Sequence, residues 1–192
     1  MADPAFKSAG TAAESLTTSI AVPHPTGIVA NDLLILHVLS KNLVDIATPA
    51  GWSQDATNGM KENVTLHSEW FWKRAVGGET GTVTVTRASG TDLFQGIMYR
   101  FTDVITTGTP YESLNVVGTT SSTTLSPADV MTTGTRRCIV VLSSIENDPP
   151  GSLFVQNSMS DYRGGTVTVW ENDERGTGTG TDATLHCASV PR

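Results

Sequence analysis

The sequence predicts an all-β protein: a two-sheet antiparallel β-sandwich, jelly-roll-like, formed by one domain spanning residues 1–192. Three kinds of observation carry that expectation: unbroken apolar runs of strand length, stretches in which apolar and polar residues alternate, and turn residues at short intervals with no convincing amphipathic helix between them.

The clearest apolar run is Asp32 to Ser40, where Leu33, Leu34, Ile35, Leu36, Val38 and Leu39 are nearly continuous. That pattern suits a strand buried on both faces. Cys138 to Leu142, inside Arg137 to Ser143, is a second run of the same kind. Alternation is clearest from Val64 to Val76, where Val64, Leu66, Trp70 and Trp72 take turns with Thr65, His67, Glu69 and Lys73. A period of two fits a strand and would scatter around a helix. Gly77 and Gly78 follow, then the alternating Thr82 to Thr86, so Val64 to Arg87 is expected to be a hairpin. Leu93 to Val104 sets Ile97, Tyr99 and Phe101 against Gly96, Met98 and Arg100. Shorter strands are expected at Tyr111 to Val117, Ser121 to Leu125, Leu153 to Met159, Thr166 to Trp170 and Ala183 to Val190. Ala5 to Ala21 suits an arm leading into a short strand, with residues 1–10 as an extended N-terminal arm, and Val44 to Met60 a long loop carrying Trp52.

Composition agrees. Charged residues make up only 16% of the chain, and threonine, serine, glycine and valine dominate, which favours strands. A chain of 192 residues can bury a core without a metal or disulfide, since domains of roughly 150 residues already remove about two thirds of their unfolded surface from water. The net charge of −7 repels phosphate and argues against nucleic acid as a partner. No segment has signal-peptide character or the roughly 20 apolar residues that span a bilayer, so folding in a reducing cytoplasm, with no membrane partner, is expected. Cys138 and Cys187 read first as small buried hydrophobes, with a disulfide between them left open.

Residues that could do chemistry are dispersed. His24, His37, His67 and His186 show no zinc-ligand spacing. Glu171, Asp173, Glu174 and Asp182 could supply oxygens to a hard cation but lack a calcium-loop pattern, and a solvated hairpin end is the simpler reading. Glu146, Asn147 and Asp148 read as turn residues before two prolines. Gly176, Gly178 and Gly180 superficially match a phosphate loop, yet no helix follows to face an anion. No serine sits in a hydrolase-type elbow. Paired carboxylates from distant strands would leave no spacing to read. No catalytic residue, cofactor site or metal site is therefore assigned. Trp70 and Trp72 are expected in the core; Trp52 and Trp170 are the two tryptophans worth testing as surface contacts, although packing over a core edge is the favoured role even for them.

Several segments together resemble β-sandwich modules of tailed-bacteriophage virion proteins, including head decoration or cement proteins and modules of tail and fibre proteins. The likeness rests on the run Gly27 to Ser40, the Pro-Ala-Gly-Trp element at Pro49 to Trp52, the aromatic strand Trp70 to Ala75 with its glycine turn, and Gly96 to Val104. It covers roughly the first hundred residues and continues weakly at Arg136 to Ser144 and Gly164 to Trp170. The resemblance implies a non-enzymatic virion structural protein, and an acidic module without fibre repeats points to the outer capsid surface. Its partner would be the major capsid protein, bridged by a symmetric homo-oligomer such as a trimer, where many small contacts act together. Phe6 and Lys7 in the arm, and Trp52 in its loop, are the candidate protein contacts. A carbohydrate- or receptor-binding module of a tail or fibre, using Trp52 to hold a glycan, is the alternative; a glycan-cleaving enzyme ranks third.

Overall fold

The apolar run at Leu33 to Leu39 lies near the middle of the larger of two packed sheets, and the rest of the architecture follows from how it is covered. The computed structural model describes residues 3–54, 60–62, 66–112, 138–146, 170–175 and 183–191. Among them are twelve strands and no helix: β1 Ala5–Ala9, β2 Ala13–Ser15, β3 Ser19–Pro23, β4 Leu33–Lys41, β5 Ile46–Ala47, β6 Met60–Glu62, β7 Leu66–Arg74, β8 Thr82–Arg87, β9 Phe94–Thr102, β10 Cys138–Glu146, β11 Trp170–Arg175 and β12 Ala183–Pro191.

One sheet has the order β1-β9-β4-β7-β6, with β2 also beside β9, and the sheet packed against it has the order β3-β8-β5. Every pairing is antiparallel. The pairs are nested: β1 and β2 lie against β9, β3 against β8, and β4 against β7. This is a long two-stranded ribbon folded over on itself, with successive strands crossing between sheets, which is jelly-roll topology. The expected sandwich is therefore present, and the strand order supplies the connectivity that alternation alone does not encode.

Two faces of the larger sheet are apolar for different reasons. Even-numbered residues of β4, Leu34, Leu36 and Val38, join Phe71, Phe94 and Met98 and meet Ile20, Val22, Ile46 and Val85 of the smaller sheet. Odd-numbered residues Leu33, Ile35 and Leu39 join Ile97, Tyr99 and Phe101 on the opposite face. A third sheet, β10-β12-β11, covers that face: β12 passes over β1, β4 and β9, and Cys138, Val140 and Leu142 of β10 pack into the second cluster. All nine residues of β4 are buried in consequence. Each large aliphatic side chain so enclosed contributes about 1.5–3 kcal/mol, more than the roughly 1 kcal/mol net of a ladder hydrogen bond, so packing decides the layering.

Three expectations need correction. Residues 64–87 are not a hairpin: β7 pairs with β4 and β6, whereas β8 lies in the other sheet between β3 and β5, because the glycine turn carries the chain across the sandwich instead of back along it. Residues 5–9 of the expected free arm are edge strand β1, paired with β9. The strand expected to end at Trp170 instead starts there: Glu171, Asp173 and Glu174 lie within β11, the last of them one residue from the end of its antiparallel pairing with β12. The cysteines also resolve: Cys138 faces Pro191 and Cys187 faces Leu142 in the β10·β12 ladder, a four-residue offset of about 13 Å at 3.3 Å per residue. A disulfide needs Cα atoms within about 7 Å, so the fold keeps them apart. The strands expected at 113–117, 121–125, 153–159 and 166–169, and the glycine loop from Gly176, lie outside the described residues.

Close packing of the two sheets predicts the effect of one substitution. A Cβ at Gly96 of β9 would sit 2.9 Å from both Ile20 Cδ1 and Val22 Cγ2 of β3, below any ordinary contact. Although valine is a better strand former than glycine, Gly96→Val is expected to lower unfolding free energy by about 1–3 kcal/mol through overpacking, measured by urea denaturation; a neutral or stabilising result would show that β3 does not cross β9 this closely.

Candidate functional site

The three residues singled out by sequence do not come together. Trp52 is 8% exposed and belongs to the core between the two main sheets. Its backbone turn, closed by its N–H donating to the Pro49 carbonyl (3.1 Å), and the paired bridge of Ser53 to Trp72 swing the indole inward. Trp52 therefore takes the favoured core-edge role and is not a surface contact. Phe6 is half-buried, its ring edge-on to Phe101 at 5.8 Å. Lys7 is exposed and falls at the bulge of β1, where the register slips between Phe6 and Ser8. A bulged lysine on an edge strand discourages further strand pairing.

Polar side chains inside the sandwich serve as ties. His37, which interrupts the apolar run of β4, and His67, which alternates with the apolar residues of β7, are both buried. His37 Nε2 lies 2.9 Å from Ser68 Oγ. His67 Nδ1 donates to the Val44 carbonyl (2.9 Å), and its Nε2 lies 2.6 Å from Glu69 Oε1. Gln54 donates to the other Glu69 oxygen (2.9 Å) and accepts from the Thr48 hydroxyl (2.7 Å). The chain Val44, His67, Glu69, Gln54, Thr48 staples the 42–54 segment to β7. At the same end of the sandwich, Arg87 donates to the Thr17, Leu93 and Asp92 carbonyls and to Ser40 Oγ, with its guanidinium 5.0 Å over the Phe94 ring. Burial lowers the pKa of this guanidinium, and the Asp92 charge opposes the shift. His37, His67, Glu69 and Arg87 are buried and are tied through these contacts to neighbouring side chains and backbone, while the exposed Gln54 and Thr48 close the chain at the surface.

The opposite end is built differently. Three segments meet there: 26–32 between β3 and β4, 75–81 between β7 and β8, and 103–106 after β9. The first two are zipped by backbone bonds, Asn31 N–H to Ala75 C=O (2.9 Å), Ala75 N–H to Asp32 C=O (2.8 Å) and Gly78 N–H to Ile28 C=O (3.2 Å). Gly77, at φ 96°, has no room for a Cβ, which would stand 2.9 Å from the Ala30 nitrogen. Beneath them Asp32, 3% exposed, accepts from Val29 N–H (2.8 Å) and Arg100 Nε–H (2.6 Å), and Arg100 also donates to the Thr26 carbonyl (3.3 Å). Between 29–32 and 102–106 lies an open cleft of about 320 Å³. Asn31 and Asp103 on its walls adopt φ of 72° and 60°, the left-handed region these two residue types tolerate best after glycine.

Aliphatic side chains stand exposed at this end. Val29, Val76 and Ile105 are 55%, 77% and 51% exposed; the remaining exposed large hydrophobic among the described residues, Leu16, lies between β2 and β3 near the other end. Sequence reasoning missed these three. A signal was available: each sits beside turn-forming residues, in Val29-Ala30-Asn31, Val76-Gly77-Gly78 and Ile105-Thr106-Thr107-Gly108, where an aliphatic has no strand face to retreat into. No family model, curated protein or solved structure matches the chain.

Two predictions follow from this geometry. Trp52→Ala is expected to cost about 3–5 kcal/mol by chemical denaturation, the range for deleting a large core aromatic; a loss under 1 kcal/mol would return Trp52 to the surface. Glu79 turns the 75–81 loop by accepting from Val76 N–H (2.7 Å) and Gly77 N–H (2.9 Å). Burial pushes its carboxyl pKa up, but these N–H groups, its own N–H and Lys73 outweigh burial and leave it lowered. A lowered carboxyl contributes stability above the ordinary carboxylate pKa of about 4.3 and loses it as pH falls through the folded value. Glu79→Gln is therefore expected to be less stable than the parent at pH 7, with the gap closing on acidification; thermal melts at pH 7 and 3 giving the same gap would contradict this.

Proposed function

We propose that the protein is a non-enzymatic virion structural protein of a tailed bacteriophage, a capsid decoration protein that binds the outer capsid surface and stabilises it by bridging major capsid subunits. The observation that carries this reading is the sealed jelly-roll slab. Both faces of its larger sheet are covered, and the buried Asp32, His67, Glu69 and Arg87 are tied to other side chains or to backbone, which supports a protein that offers other molecules shaped surface. The resemblance of Gly27 to Ser40, Pro49 to Trp52, Trp70 to Ala75 and Gly96 to Val104 to phage virion modules supplies the setting, and these segments form β4, the Trp52 turn, β7 and β9, the inner strands of the roll and the plug beside them.

The net charge of −7 suits a protein facing away from packaged DNA. A decoration protein acts as a symmetric oligomer, so that each copy contributes a modest contact and the shell gains by avidity. The edge strand β1, with Phe6 packed and Lys7 outward, is a contact strip of the slab in place of a free tether. A glycan-binding role built on Trp52 loses its support, since the indole is enclosed.

Cryo-electron microscopy of virions with the protein labelled by a fused tag tests the proposal. Density at regular capsid lattice positions is the expected result; label confined to the tail overturns it.

A further inference from the structure

We propose that the end of the sandwich carrying Val29, Val76 and Ile105 is the surface that docks on the capsid. Its occupant would be a segment of the major capsid protein that presents an aliphatic side chain beside a lysine or arginine. This rests on the decoration reading above.

Three features of that end converge. Its aliphatic side chains are more than half exposed, and an isolated exposed aliphatic is ordinary whereas several on adjoining loops mark a contact. The loops are pre-formed, because the Asn31, Ala75 and Gly78 backbone bonds and the buried Asp32–Arg100 pair hold them, so little ordering free energy opposes binding. Between them the open cleft of about 320 Å³ has room for one partner side chain.

Charge selects the occupant. Three cations among the described residues at this end are engaged, Arg100 with Asp32 at 2.6 Å, Lys73 with Glu79 at 3.7 Å, and Arg74 with the Gly108 carbonyl at 3.2 Å, while Lys7 of β1 stands exposed at the level of Arg100. Asp103, exposed on the wall of the cleft, accepts from the neighbouring Thr102 hydroxyl and faces no cation in these contacts. The cleft is therefore apolar with one exposed carboxylate, Asp103, on its wall, on a chain of net charge −7. A partner with an aliphatic knob and a basic flank complements both properties, and the charge contributes mainly to encounter rate and register. A second copy of this chain would bring its own carboxylate to the same wall, which like-charge repulsion disfavours.

The opposite end provides an internal control. Leu16, 59% exposed, lies about 30 Å away, the length of a nine-residue strand. The protein and its variants V29D, V76D, I105D, D103N and L16D are to be mixed with capsids of the encoding phage from which this protein is absent, and bound protein measured by sedimentation at two salt concentrations, with melting temperatures confirming that each variant is folded. Expected are a loss of at least tenfold in affinity for V29D, V76D and I105D, a severalfold loss with flattened salt dependence for D103N, and parent-like binding for L16D. Parent-like binding by the loop-end variants, or loss confined to L16D, overturns the docking surface while the decoration reading stands. Failure of the parent protein itself to bind overturns the decoration reading, and the docking surface falls with it.

Discussion

Strand β4 is enclosed in every direction. Its ladder hydrogen bonds run sideways to β7 and β9, its even side chains are closed off by the smaller sheet and its odd ones by the cluster under β12. Because each face needs its own cover, one sheet cannot suffice. The smaller sheet must fold over one side, and the chain beyond Thr102 must return to supply the other. The nested pairing of a jelly roll satisfies the first demand, since it wraps a ribbon around its own centre and leaves the middle strands innermost.

That demand also explains where polar residues sit. A layered slab has little room for charge between its sheets, so apart from His37 and Tyr99, midway along β4 and β9, the buried ionisable groups described lie towards the two ends, where strands turn and backbone carbonyls can accept. At one end Arg87 and the His67 to Thr48 chain close the turns inward. At the other, Asp32 and Arg100 form a floor, and the loops above it turn aliphatic side chains outward. The two ends thus differ in kind: one is an internal clasp, the other a platform.

Much of the fold was legible because it rests on local patterns. The apolar run at Leu33 to Leu39 announced a doubly covered strand, and alternation located β7, β8 and β9. What alternation does not report is which sheet a strand joins. Gly77 and Gly78 look alike whether the chain doubles back or crosses over, and the crossing is decided by Ala30 and Asn31, distant in sequence, gripping the turn. His67 and Glu69 obeyed the strand period, yet a solvent face and an inter-sheet face are indistinguishable in period; only the cover contributed by Val44 and Gln54 tells them apart. Trp52 left two roles open for a related reason: a loop residue with a large indole is recognisable, but the side of the backbone it falls on depends on the Pro49 turn and the Ser53 bridge.

The nesting has a temporal corollary on the ribosome. Ala5 has its partner at Thr102, and Ser19 has its partner at Thr86, so the earliest strands to emerge wait longest. Such long-range closure is slow, and β1 and β2 spend that interval as unmated tape while β4, rich in leucine, is already out in the open. Nascent chains of this protein should therefore lean on holdase chaperones until β9 has cleared the exit tunnel.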